Sequence, residues 1–431
     1  MTTNATATMP ESLFALTLAL LMLSPLAIAG IALINTGLGR SRSAAQALFG
    51  NLAIIGVTAI LFAVLGSAFA GSLPGGSGHV LHAAGKQWNW LGTGPTLLRG
   101  LDAAPAHSQL GLVFEFLAVA LAAIIPWGSG ADRWRLAAGC STAAVLALAI
   151  FPLAAHWTWG GGWLAQLNSL FGIGTNFADP GGAATVHVLG GLSALAVIWI
   201  TGPRRGKFPK EGFSTAMPGH NAAYVLFGCL ISLVGFLAWN LAGAILWLNA
   251  SPASLPGTAI NTLLCGSMAM AGTTAVTRIR FGKPDASLCA NGWMSGLVAS
   301  TACAALVSPT AILFIGLVAG IATPLLVEVL ELALSIDDPS GAISVHLVSG
   351  LWGLAAAGMF APQHGQMLAQ LVGIATLLGV FLPLVFFVLL LLNRFVPFRV
   401  EADGERIGMD LHELGGGAYP EFVIHRDESY R

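Results

Sequence analysis

The chain has 431 residues, a net charge of −1, 9% charged against 56% apolar residues, and a mean hydropathy of +0.80. A soluble protein carries about 25% charged residues, and a surface this apolar would aggregate in water, so the surrounding solvent is lipid. The balanced charge excludes a basic nucleic-acid surface, and the five cysteines (Cys140, Cys229, Cys265, Cys289 and Cys303) lie in apolar stretches without CxxC spacing, as small buried side chains do.

A spanning helix needs about 20 mostly apolar residues. Eleven stretches meet that condition: 11–35, 44–70, 108–129, 136–155, 184–202, 221–247, 257–277, 288–307, 310–333, 342–361 and 367–393. The fold expected is an all-α integral membrane protein with eleven transmembrane helices. Residues 71–107 form a long loop between spans, and residues 394–431 a polar tail. No Lys or Arg precedes the first span, so it lacks the charged start of a secretory signal. Basic residues set the orientation. Of 18 Lys and Arg, 16 fall on one side if eleven spans alternate, following spans one, three, five, seven and eleven; only Lys86 and Arg99 fall on the other. The positive-inside rule then places the N-terminus outside and the tail in the cytoplasm.

Two segments repeat. "DPGGAATVHVLGGLSAL" (179–195) and "DPSGAISVHLVSGLWGL" (338–354) share nine of 17 positions, and in each a histidine follows the Asp by eight residues. The first copy enters span five from outside and the second enters span ten from inside. Residues 11–202 and 221–361 therefore read as two five-helix halves of opposite topology, with span 367–393 added. Inverted halves bring equivalent residues together near the bilayer midplane, where transporters bind or pass substrate. His187 and His346 are expected to meet there. An uncharged imidazole has one N–H donor and one bare acceptor nitrogen. Two of them in an apolar path suit a small molecule that both donates and accepts, or a proton relay. The plainer reading is two structural histidines, each bonded to a backbone carbonyl.

On these residues the chain resembles the Amt/Mep/Rh ammonium transporter family over nearly its whole length. The two histidine segments resemble the family's twin-histidine helices. "FPLAAHWTWGGGWL" (151–164), "GFLAWNLAGA" (235–244), "GKPDASLCANGWMSGLVA" (282–299) and "ERIGMDLHELGGGAYPEF" (405–422) resemble further family motifs, the last a regulatory C-terminal tail. The resemblance implies a homotrimer of eleven-helix protomers, each with its own pore, in the inner membrane. It implies that His187 and His346 line the pore or relay a proton, and that Trp159 recruits ammonium by its π face. It gives Asp179 a role near the external site, either electrostatic or as the cap of span five. It also implies a PII-type signalling protein as a partner of the cytoplasmic face.

Three positions depart from the family pattern. Trp239 stands for the inner gate phenylalanine, Gly243 for a serine that contacts the recruited ion, and Ala118 for the outer gate phenylalanine, for which Phe114 or Phe116 could substitute. Glu115 stands where the family has a glutamine. It reads either as a replacement cation contact or as a vestibule or interface residue without a role. Asn35, Asn51 and Asn240 read as helix–helix hydrogen-bonding groups. Asp337 and Asp338 suit the N-terminus of span ten, Glu328 and Glu331 a solvated rim, and His156 a packed vestibule position. The expected function is ammonium or ammonia transport without catalysis or cofactor. The rivals are an ammonium sensor of the same fold, a neutral small-solute channel, and a membrane enzyme with a metal at His187, His346 and Asp179. A metal site normally takes three or four ligands with supporting groups.

Overall fold

The computed structural model describes residues 9–75 and 79–419, and its apolar stretches are helices. They are α1 (Glu11–Leu38), α2 (Ser41–Ala70), α3 (Ala106–Ser129), α4 (Leu136–Phe171), α5 (Ala183–Thr201), α6 (Ala222–Leu248), α7 (Pro252–Phe281), α8 (Ala286–Cys303), α9 (Pro309–Ala333), α10 (Ile343–Phe360) and α11 (Gln366–Phe395). Each expected span starts within about five residues of one of these helices. Among the described residues, ten of the helices are long and apolar enough to cross a membrane. The helix outside that set is α8, and 14 of its 18 residues are buried. It packs against α6, α7, α9 and α10. A helix that faces protein on most sides can carry Ser, Thr and Asn for cross-helix bonds, so the apolar signal weakens there.

The helices pack by close backbone approach. A Cβ added to Gly235 on α6 would lie 1.9 Å from the Ala27 nitrogen on α1, so only glycine fits this crossing. Helices α3 and α5 are the most enclosed, while α2 and α11 turn most of their side chains outward. Leu52, Ile60 and Phe387 on those outer helices are exposed, as lipid-facing residues would be.

The two repeated segments build the same local device. Gly182 and Gly341 each stand three residues after the Asp, with φ of 77° and 69°, a left-handed turn that favours glycine. Each turn feeds a six-residue stretch of wide π-helical backbone, Ala183–Val188 and Ile343–Val348, which carries the histidine. Such π-turns are rare and gather at functional sites.

The loop before α3 holds a hairpin that the sequence reading treats as plain loop. Strand β1 (His79–Ala83) pairs antiparallel with β2 (Lys86–Leu91). The connection is Ala84–Gly85, both with positive φ, the geometry of a tight two-residue hairpin turn.

At the opposite end of α5 lies a buried ionic network. Arg204 donates two hydrogen bonds of 2.9 Å to the Asp337 carboxylate and one of 3.2 Å to Asp132. Arg133, wholly buried, donates to the Asp337 carbonyl at 2.9 Å and to the Gly202 carbonyl at 2.7 Å. Burial works against the Asp337 charge, but the Arg204 hydrogen bonds and the Arg133 and Arg204 charges hold its carboxyl down to about 2. Asp337 is thus an ion-pair partner rather than a helix cap. Asp338 does cap α10, accepting from the Ile343 N–H at 2.7 Å. Glu331 pairs with Lys207 at 2.7 Å and Glu328 with Arg280 at 2.6 Å, so the expected rim carries ion pairs.

The tail folds back under the same face through α12 (Ala402–Ile407). Asp410 accepts from the Ala45 and Gln46 N–H groups at the start of α2, at 3.2 and 2.8 Å. Glu413 accepts from the Leu136 N–H at the start of α4 at 2.9 Å. Both acids face helix N-termini, where the dipole favours negative charge. Residues 420–422 of the tail motif lie outside the described residues.

Candidate functional site

On the side opposite the ionic network an open vestibule of about 630 Å3 is lined by Trp159, Trp247, Asp179, His107, Asn176 and Gln363, among others. Trp159 sits where α4 unwinds, and its indole N–H donates to the Asp179 carbonyl at 2.8 Å. The Asp179 carboxylate turns inward. It accepts from the Ala184 N–H at 3.1 Å, the Thr185 N–H at 3.0 Å and the Thr185 hydroxyl at 2.9 Å. Of the two roles expected for Asp179, this geometry is that of a cap, because its oxygens are occupied by the first turn of α5.

Beneath the vestibule four aromatic rings close together. Trp247 stacks on Trp159 with centroids 5.1 Å apart and planes 6° apart. Phe114 stands near-perpendicular to Trp159 at 5.5 Å and meets Trp239 at 4.5 Å. Phe114 and Trp239 are fully buried, so they lie deeper than the vestibule pair. The Trp239 indole N–H donates to the Gly181 carbonyl at 2.8 Å. Phe114 therefore joins the aromatic cluster, whereas Phe116 packs edge-on against Phe62 at 5.1 Å and lines an outer apolar groove. Ala118, one turn from Phe114, is fully buried.

His187 and His346 meet between α5 and α10. Their Nδ1 atoms are 3.1 Å apart, and the rings lie within 15° of coplanar with centroids at 5.2 Å. That separation exceeds the N–N distance by about two ring radii, so the rings touch edge to edge and share one hydrogen bond. One Nδ1 donates and the other accepts. Among the described residues the buried His187 Nε2 has no hydrogen-bond partner. Phe236 stacks on His187 at 5.5 Å and 14°.

Several residues sit elsewhere. Glu115 is buried and accepts a hydrogen bond from the Ser72 hydroxyl; it faces the loop after α2 rather than the Trp159 ring. A Cβ on Gly243 would lie 2.0 Å from the Pro180 carbonyl oxygen, so the Asp-Pro turn fills the space a serine would occupy. Asn240 donates to Thr262 and Ser300, both at 2.9 Å, tying α6 to α7 and α8. His156 is buried against the Ala70 carbonyl at 3.1 Å. Among the described residues no group of three or more His, Cys, Asp or Glu side chains converges as metal ligands would.

Comparison with known proteins adds to this geometry. The profile of the Ammonium Transporter Family matches residues 13–419. The chain belongs to the ammonium transporter family. Among its relatives in that family, ammonium transporter Amt2 of Archaeoglobus fulgidus is 31% identical over 426 residues, covering 93% of this chain and 86% of that protein. The ammonium transporter of Bacillus subtilis is 30% identical, covering 90% and 94%. In fold the chain is similar to a structure described as a sensor Amt protein (TM-score 0.83, 24% identity, 93% and 98% covered). It is also similar to Candida albicans Mep2 (0.77, 22%, 96% and 92%).

Sequence reading passed over three parts of this candidate site. Trp247 looks like one more aromatic residue at a span end. Its signal is the spacing of eight from Trp239, about two turns along one helix face. Phe236, three residues before Trp239, has the same periodic signal. The hairpin grips the vestibule wall. The Trp157 indole N–H donates to the Trp90 carbonyl at 2.9 Å and the Asn89 amide to the Gly161 carbonyl at 3.1 Å.

Proposed function

We propose that the protein moves ammonium nitrogen across the membrane, as the names of its family relatives describe for those proteins. Ammonium gathers at the vestibule beside Trp159, gives up its proton at the aromatic floor either to vestibule water or to the histidine pair, and crosses as ammonia past His187 and His346. The apolar path favours this because moving an unpaired ion into low dielectric costs several kcal/mol even after relaxation, whereas ammonia carries no charge. The observation that carries the reading is the 3.1 Å contact between the two histidines. It joins the two copies of the repeat in a chain of the ammonium transporter family.

The reading extends to the assembly. Eleven spans follow if α8 counts as one, with inverted halves 11–202 and 221–361, span 367–393, the N-terminus outside and residues 394–431 as a cytoplasmic regulatory tail. A homotrimer in the inner membrane and a PII-type partner at the basic face complete it. The matching turns at Asp179 and Asp338 support the inverted halves, and the tail acids on α2 and α4 support a regulatory tail. Asp179 acts chiefly as the cap of α5 in this reading, and Glu115 as a buried structural group.

The test is the current evoked by an ammonium pulse on proteoliposomes, with internal pH recorded in parallel. A native current lost in the His187→Ala, His346→Ala double variant supports transport with the histidines as the proton path. A pH change without current supports ammonia alone crossing. Neither signal, with ammonium still bound, would favour the sensor.

A further inference from the structure

Trp247 forms the vestibule floor together with Trp159 and covers one face of that ring in the parallel stack described above. One face of α3 sets its position. His107, Gly111 and Phe114 follow at spacings of four and three, so they share a side of the helix. The His107 ring meets Trp247 at 90° and 6.2 Å, and Phe114 meets it at 80° and 5.9 Å. A Cβ on Gly111 would already stand 3.3 Å from the Trp247 ring. His107 also bonds the Leu246 carbonyl at 2.8 Å, which fixes the backbone beside Trp247. Among the described residues the Trp247 indole N–H has no hydrogen-bond partner, so packing rather than a bond of its own orients the ring.

An open indole face attracts any small cation within about 6 Å, including alkylated ammonium ions. It therefore selects poorly between ammonium and methylammonium. The face that Trp247 covers is closed to a cation, which leaves a smaller part of the ring open, and polar acceptors such as the Asn176 and Gln363 side chains line the same vestibule. Ammonium can turn N–H groups to several acceptors at once, whereas each methyl group removes a donor and adds volume.

We propose that Trp247 is a specificity-determining residue: stacked over Trp159, it narrows the recruitment surface to one that accepts ammonium and turns away methylated amines. This rests on the transport reading for its substrate but is tested by binding as well as by flux. Binding of ammonium and of methylammonium is measured by calorimetry on the purified full chain, native and with Trp247→Leu or Trp247→Phe. Uptake of both is measured in proteoliposomes. Leucine removes the stacked ring, and the methylammonium-to-ammonium affinity ratio is expected to rise about tenfold, equivalent to about 1.4 kcal/mol. Phenylalanine still stacks and is expected to shift the ratio less. If the leucine variant does not fold, Trp247→Met, long and apolar but without a ring, takes its place. A ratio that stays native when the ring is gone, an equal loss of both affinities, or a native protein that binds neither cation overturns the proposal. A native protein that binds ammonium without carrying it overturns only the transport reading, and the ratio still decides the role of Trp247.

Discussion

At Gly243 the Pro180 carbonyl oxygen already occupies the place of a side chain, so the missing serine is a consequence of how the Asp-Pro turn sits on α6. Gly243→Ser would not restore a cation contact. It should overpack the turn, at a cost of about 1–3 kcal/mol, visible as a lower melting temperature in detergent with no gain in ammonium affinity. A tighter-binding serine variant with a native melt would show that the turn has room. Glu115 follows the same logic. Its carboxyl is occupied by the Ser72 hydroxyl, so Glu115→Gln, which keeps an acceptor for that donor, is expected to leave ammonium affinity unchanged. A clear loss of affinity would restore the role of cation contact. Neither feature was legible in the sequence, which shows that a residue departs from a family pattern but not which carbonyl or hydroxyl has taken the space.

At the scale of elements, the histidine helices depend on their caps. Asp179 holds two N–H groups and a hydroxyl at the start of α5, and Asp338 holds the Ile343 N–H and the Ser129 hydroxyl at the start of α10. Asp179→Ala orphans buried donors next to the turn that aims His187. Loss of such a cap costs about 0.5–2 kcal/mol, and it should depress transport through misplacement of the imidazole. Asp179→Asn keeps one acceptor oxygen and should retain most activity, measured as initial ammonium uptake. If the asparagine variant lost as much as alanine, the negative charge rather than the cap would be what matters. These elements were the readable part of the chain. Apolar runs located the helices α1 to α11, though not α12 in the polar tail, and the repeated DPxG…H pattern located both histidines, because burial and left-handed glycine turns leave marks at fixed spacing. The hairpin at 79–91 left none, since Ala84–Gly85 lacks the usual Asn-Gly or Asp-Gly signature. Its two tryptophans, Trp88 and Trp90, become meaningful only against Trp163 and Trp157 on α4.

Across the whole molecule, charge is confined largely to one face, where it serves as a clasp. Arg133, Arg204, Asp132 and Asp337 are all buried, and they join the loops after α3, α5 and α9. The tail reaches the same region through the Arg135 N–H, which donates to the Phe398 carbonyl at 3.0 Å, and the Val400 N–H, which donates to the Arg133 carbonyl at 2.9 Å. Sequence could count these charges for orientation but not pair them, because their partners lie in different loops. Removing one member of a buried pair leaves the other charge uncompensated, at about 3–5 kcal/mol, so Asp337→Asn should lower the melting temperature of the detergent-solubilised protein strongly at neutral pH. Its pH dependence has a definite sign. The folded pKa of Asp337, about 2, lies below the unfolded value of about 3.9. The carboxylate's contribution is therefore complete above about pH 4 and is lost as pH falls through 2. Melting curves of native and Asp337→Asn protein should thus stay a constant interval apart from pH 7 to about 5 and converge below about pH 4. An interval that ignores acid would mean the clasp depends on shape rather than on the charge of Asp337. An interval that closes near neutrality would mean another titrating group governs it.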